Sequence, residues 1–176
     1  MTRYFVLLSP TYKTYLEAMA LKKIPPQEIR KKVEALRKEN KTIATLNGSF
    51  DLLHAGHLEI IYQASLQADV LIVALNTDCS IQQYKSPKRP IIALEYRLQM
   101  IAALERVDYV TWFDELDPRS ILSEICPDVH VNGAEYGERC IEKQVVESGG
   151  GRVHIVSLVP GLSTSQIIQK IVNTCV

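Results

Sequence analysis

The sequence predicts an α/β fold: a doubly wound sheet of about five parallel strands with flanking helices. Three observations lead there. Short apolar runs recur from residue 42 onward, and segments with helical spacing separate them. The run 70–75 (VLIVAL) is apolar on both faces, as a strand covered on both sides must be. The chain has 176 residues, 47 % hydrophobic and 23 % charged, which suits one domain with a sizeable core.

Taken in order, residues 1–24 carry no decisive pattern. They are compatible with an edge strand and helix, a lid, or a contact in a homodimer. Residues 26–40 are rich in charge but align Ile29, Val33 and Leu36, so they predict an amphipathic helix leading into the sheet. Strands are predicted over 42–46, 69–75, 108–113, 128–131 and 153–158. Helices are predicted near 57–68, 94–105, 118–126 and 138–148, with a last one over 166–172. Pro118 suits the first turn of its helix, and Pro127 marks where that helix must stop. The pattern is Rossmann-like. Residues 1–40 form an N-terminal extension and lead-in helix, and 41–176 form the main domain.

Composition removes several function classes. Lys+Arg and Asp+Glu number 20 each, so the basic excess of a general nucleic-acid binder is missing. Cys79, Cys126, Cys140 and Cys175 form no C-x-x-C pair and adjoin no His cluster, so neither zinc nor a disulfide framework is expected. No apolar stretch approaches the length of a membrane span, and the run Phe5-Val6-Leu7-Leu8 is too short for a secretory core. A cytoplasmic protein without a membrane partner is the expectation.

In such a sheet, ligands bind beyond the carboxyl ends of the strands. The loops there are 47–56, 76–90, 114–118, 132–137 and 159–165. The first reads Asn47-Gly48-Ser49-Phe50-Asp51-Leu52-Leu53-His54-Ala55-Gly56-His57. Asn47 and Gly48 suit a tight turn, and Gly56 leaves room for close approach to the backbone. His54 and His57 stand at a helix start, where unpaired N–H groups favour a phosphate. Imidazoles there can also bind phosphate oxygens whose charge grows during transfer. A zinc site is the rival, but H-E-x-x-H is absent and no third ligand is evident, so no metal ligand is predicted among the side chains.

Lys85, Lys88 and Arg89 cluster in the second loop, and Lys85 is either a phosphate clamp or a solvated charge. Asn76 and Asp78 suit a ribose, a sugar, a magnesium-linked phosphate or a turn cap. Asp51 is read as orienting the loop or the acceptor. Arg97 is either an anion contact or an exposed helix arginine. Ser163, Thr164 and Ser165 can cap the last helix. Gly149-Gly150-Gly151 follows a helix and precedes a strand, so it lies at the wrong sheet edge for a phosphate loop. His130 and His154 fall within strands and read as structural.

Asn47–His57 resembles the H-x-G-H signature of the nucleotidyltransferase (cytidylyltransferase-like) superfamily, and Gly161-Leu162-Ser163-Thr164-Ser165 resembles its second motif. Within it, residues 41–171 look most like bacterial heptose 1-phosphate adenylyltransferases, which make ADP-heptose for lipopolysaccharide. Those occur as separate proteins or as the C-terminal domain of a bifunctional kinase–adenylyltransferase. Further marks are Asn76-Thr77-Asp78, Lys85 with Arg89-Pro90-Ile91, Glu95 with Arg97, Pro127-Asp128-Val129, and Gly133 to Tyr136. The resemblance implies His54, His57 and Lys85 as catalytic residues. It implies nucleotide contacts from Asn47, Gly48, Ser49, Phe50, Gly56, Asn132, Gly133, Ser163, Thr164 and Ser165. Asp51, Asn76, Asp78 and Arg97 would serve the other substrate. ATP with Mg²⁺ and a sugar phosphate are the implied ligands. A CTP-dependent enzyme acting on glycerol 3-phosphate and a nucleotide-binding relative without turnover are the alternatives.

Two departures stand out. Ser49 replaces the family's usual Cys, and Asn132-Gly133-Ala134-Glu135-Tyr136 replaces Lys-Gly-Gly-Asp-Tyr. Loss of that lysine removes a charge-assisted contact in a phosphate-facing loop.

Overall fold

A computed structural model describes residues 10–134, 137, 140–157 and 163–175. Five parallel strands form one sheet in the order β3-β2-β1-β4-β5. They are β1 (Ile43–Gly48), β2 (Val70–Asn76), β3 (Tyr109–Phe113), β4 (Val129–Gly133) and β5 (Arg152–Val156). Every residue of β2 is buried, as its two-sided apolar character requires. Crossovers run one way from β1 to β3 and the other way from β4 to β5. The order therefore reverses between β1 and β4, and a crevice opens beyond their carboxyl ends.

The helices are α1 (Pro10–Lys22), α2 (Ile29–Lys38), α3 (Ala55–Ser65), α4 (Asp78–Tyr84), α5 (Leu94–Ala102), α6 (Arg119–Ile125), α7 (Lys143–Ser148) and α8 (Thr164–Cys175). On one sheet face, Leu46, Leu71 and Val131 pack with Ile61 of α3 and with Leu98 and Ile101 of α5. On the other, Ile43, Ile72 and Ala74 meet Ile29, Val33 and Leu36 of α2 and Ile121 and Ile125 of α6. The aligned apolar stripe of α2 thus anchors the lead-in segment to the sheet. Each such side chain contributes about 1.5–3 kcal/mol by leaving water.

Two helices depart from the expectation. α1 forms where the sequence gave no clear pattern, and it is pinned by its end. Lys22 Nζ donates to the carbonyl oxygens of Val107 (2.6 Å) and Leu104 (3.3 Å), and Ile24 N donates to Val110 O (2.8 Å). Residues 23–24 thereby run beside β3 and cover part of its edge. α4 lies inside the segment read as a loop. Thr77 caps it, its hydroxyl accepting from Ser80 N at 3.1 Å. The helix is short and buries only Ser80 and Ile81, so its apolar period is too brief to register. The strand expected over 42–46 runs on to Gly48, and α8 is longer than 166–172. The helix expected over 138–148 spans Lys143–Ser148, with residues 138 and 139 outside the described residues, as are Glu135, Tyr136, Leu158, Gly161 and Leu162.

The glycine run is a packing device. Gly149 caps α7, Gly150 has φ +85°, and a Cβ on Gly151 would lie 2.0 Å from Pro127 O. No helix among the described residues is long and apolar enough to cross a membrane.

His130 of β4 is fully buried, and its Nδ1 lies 2.8 Å from Thr45 Oγ1 of β1. Burial lowers its pKa from 6.5 to about 4. The unfolded chain therefore binds the proton first, so stability is complete above about pH 6.5 and falls as the pH drops toward 4. One such group contributes a slope of about 1.4 kcal/mol per pH unit. His130→Asn, which cannot take up that proton, is expected to show a shallower decline of urea midpoint between pH 7 and 4. Equal slopes would refute the assignment.

Candidate active site

The loop after β1 is shaped by one backbone turn and one buried acid. Phe50 has φ +45° with its ring buried, and that ring lies 3.1 Å from where a Cβ on Gly48 would stand. Gly48 therefore makes room for the ring. Asp51 is fully buried; Oδ1 accepts from Ile91 N (2.7 Å) and Ile92 N (2.9 Å), and Oδ2 accepts from Arg89 Nε (2.6 Å). Asp51 thus ties the first loop to the one before α5. The expected contact with a second substrate is not what its side chain makes, because both oxygens are taken inside the protein.

Arg97 is neither an exposed helix arginine nor an open anion contact. It is fully buried. Nε donates to Ile92 O (2.9 Å), Nη1 to Ser49 O (2.7 Å) and Asn76 O (2.9 Å), and Nη2 to Asp78 Oδ1 (2.6 Å). The same Asp78 oxygen accepts from Leu94 N at 3.0 Å. Asn76 is buried too, with Nδ2 donating to Ser80 Oγ at 3.0 Å. These groups fix the ends of β1 and β2 against α4 and α5.

His54 stands at the N-cap of α3, and its side chain makes no capping hydrogen bond. Gly56 lies in the first turn beside it. The rings of His54 and His57 stack at 3.8 Å between centroids with 21° between planes, and Phe50 lies tilted against His57 at 5.2 Å. Both Nδ1 atoms and Asn47 Oδ1 are buried without a hydrogen-bond partner. Among the described residues, no hydrogen bond to Nδ1 therefore fixes the tautomer of either ring. Burial, then the positive charges of His54 and Lys85, lower the His57 pKa to about 4, and burial lowers that of His54. His57 is neutral at pH 7.

Lys85 is the C-cap of α4, and its Nζ donates to Ser49 Oγ at 2.8 Å. Burial, followed by Arg89, lowers its pKa, while Asp51 opposes the shift. The end of α4 thus brings the Lys85 ammonium to the loop after β1, at Ser49.

Asn132 is buried at the end of β4 beside Gly133, and its Nδ2 donates to Glu142 Oε2 at 3.2 Å. Glu142 escaped sequence reading because only the β4–α7 connection brings it there. Ser163 caps α8, its hydroxyl accepting from Gln166 N at 3.3 Å, with Thr164 and Ser165 in the first turn. Among the described residues, no hydrogen bond, ion pair or ring contact joins Ser163, Thr164, Ser165 or Asn132 to the histidine loop. No group of three His, Cys, Asp or Glu side chains that could hold a metal ion occurs among the described residues.

The cytidylyltransferase-like family model matches residues 45–170, from β1 into α8. The chain belongs to that family. It is 40 % identical over 148 residues to the bifunctional protein HldE of Syntrophotalea carbinolica, covering 84 % of this chain and 30 % of that protein. The HldE of Citrifermentans bemidjiense is 42 % identical over 135 residues, 76 % of this chain and 28 % of its own length. The chain thus spans under a third of these relatives. Among solved structures, a lipopolysaccharide core biosynthesis protein from Thermoplasma volcanium superposes with a TM-score of 0.55 at 26 % identity, covering 68 % of this chain and 97 % of that one. Pantoate-beta-alanine ligase from Francisella tularensis, at 16 % identity and TM-score 0.54, shares the fold. The match spans the β1–α3 loop that carries both histidines.

Removing the Arg97 guanidinium leaves three carbonyl groups and Asp78 without their donor. Arg97→Met is expected to cost about 3–5 kcal/mol, the usual loss when one partner of a buried ion pair is removed. Denaturant midpoints measure it. A change below about 1 kcal/mol would show that the network is dispensable.

Proposed function

We propose that the chain transfers AMP from ATP to a sugar 1-phosphate, with heptose 1-phosphate as the leading acceptor, releasing pyrophosphate. The product is an ADP-sugar for lipopolysaccharide-type glycan synthesis, and the nucleotide substrate favours a cytoplasmic setting. One observation carries the reading: two stacked histidines at the N-terminus of α3, with the Lys85 ammonium close enough to depress His57. Family membership and the likeness to a lipopolysaccharide core biosynthesis protein support it. Residues 41–176 would carry the reaction, while residues 23–24 line the β3 edge and α2 covers one face of the sheet.

An acceptor phosphate oxygen attacks the α-phosphorus in line, a new P–O bond forms, and the bond to the bridging oxygen breaks to release pyrophosphate. A sugar phosphate is already ionised, so the protein need not supply a base. Its work is to position the reactants and to meet growing charge with fixed donors. His54 and His57 donate from neutral rings, α3 adds backbone N–H groups, and Lys85 clamps the polyphosphate. Asn47, Gly48, Gly56, Asn132, Gly133 and Ser163 to Ser165 form the nucleotide pocket in this reading. Asp51 and Arg97 are positioning residues, and Asn76 and Asp78 hold the rim with them. Near the histidines, Asp51 and Asp78 are both engaged by arginines, so the side chains present do not form a resident cation site. Mg²⁺ would arrive with ATP as the counter-ion of its phosphates.

A second reading follows from the family's cytidylyltransferase character: CTP with glycerol 3-phosphate. Pyrophosphate release with ATP or CTP against a panel of sugar and polyol phosphates separates the two. ATP with heptose 1-phosphate is expected to be fastest. Faster turnover with CTP and glycerol 3-phosphate would replace the first reading. Nucleotide binding without turnover on any acceptor would make the chain a binding relative.

If His57 meets charge that grows mainly in the transition state, His57→Ala lowers kcat by about 10²–10³, or 2.7–4 kcal/mol, with little change in ATP affinity. Near-normal kcat would overturn its role. The ring should also titrate near 4 in the free protein and higher once a polyphosphate is bound, which ¹H–¹⁵N NMR of the imidazole reads. A free-state value near 6.5 would show that the ring is not desolvated.

A further inference from the structure

Resting on the reading of Lys85 as a polyphosphate clamp, we propose that Ser49 is a positioning residue that acts through Lys85, not through direct contact with the nucleotide. Two groups hold Ser49. Its hydroxyl accepts from Lys85 Nζ at 2.8 Å, and that ammonium lies 5.5 Å from the centroid of the Tyr84 ring. The Ser49 carbonyl is held by Nη1 of the buried Arg97 at 2.7 Å. A serine hydroxyl offers two acceptor positions, one of which receives the ammonium N–H.

The chain order gives this arrangement its mechanical sense. Lys85 is the C-cap of α4, so its side chain reaches back from that helix end to the first loop. A lysine stem spreads its ammonium over many rotamers, and holding it in one costs conformational entropy. Ser49 provides a seat whose own backbone cannot drift, because Arg97 fixes it to the ends of β1 and β2. The ammonium is then held beside His57 before a polyphosphate arrives, and its charge is felt by the ring. A neutral side chain two residues beyond Asn47 thereby decides where a charge from the next crossover rests.

A double-mutant cycle tests this on the full chain, with pyrophosphate release and ATP titration on Ser49→Ala, Lys85→Ala and the pair. Ser49→Ala is expected to lower kcat/KM for ATP about tenfold, the scale of one charge-assisted hydrogen bond, and to cost nothing further once Lys85 is Ala. The alkaline limb of the pH profile should move to lower pH, because the hydroxyl supports the charged amine. Ser49→Thr should restore most of the loss, whereas Ser49→Cys, a weak acceptor, should not. Multiplicative effects of Ser49→Ala and Lys85→Ala, or no effect of Ser49→Ala alone, would overturn the proposal. If the natural chain releases no pyrophosphate with any acceptor, the proposed reaction fails. The cycle is then decided on ATP affinity, where coupling upholds the role of Ser49 and additivity ends it.

Discussion

Arg97 sends its guanidinium from the first turn of α5 into the carboxyl edge of the sheet, where it meets Ser49, Asn76, Ile92 and Asp78. A buried guanidinium is costly unless nearly all its donors are used, and here the surrounding carbonyls and one carboxylate use them. The consequence is geometric. Strand ends that would otherwise fray into loops are locked to each other and to the following helices. The histidine loop starts from that locked edge, so its placement depends on the same group.

A second ion pair repeats the logic one layer out. Asp51 receives two backbone N–H groups and Arg89, so a carboxylate with no exposed surface joins the first loop to the segment before α5. Arg89 of the basic cluster and Arg97 of α5 are thereby each paired with a carboxylate, Asp51 and Asp78. Lys85, resting on a neutral hydroxyl, keeps its charge unpaired by any acid in its hydrogen bonding. Its desolvation, and that of the two imidazoles, is the energetic cost of a site prepared for an anion. In the proposed reaction, the polyphosphate of ATP supplies the charge that such a site lacks.

The local backbone serves the same end. Phe50 adopts a left-handed conformation and packs its ring against His57, while Gly48 leaves space for that ring. Such strain persists only where surrounding contacts over-determine it. At the opposite edge of the sheet, the glycines at 149–151 solve a packing problem between α7 and β5 and have no part in the chemistry.

The sequence by itself determined the strand series, the stripe of α2 and the helix start that carries His54 and His57, because each is written in local periodicity or in a contiguous motif. It could not decide the roles of Arg97 and Asp51. A charged residue on a helix or in a loop looks solvent-exposed until the fold supplies carbonyl, amide and ionic partners from 5 to 48 residues away. α1 and α4 were illegible for a related reason: one is held by backbone carbonyls near β3, and the other buries too few side chains to show a period. The Asn132–Glu142 and Ser49–Lys85 pairs likewise exist only once crossovers close. Periodicity reports what each element does with water; only the tertiary structure decides which polar groups leave water together.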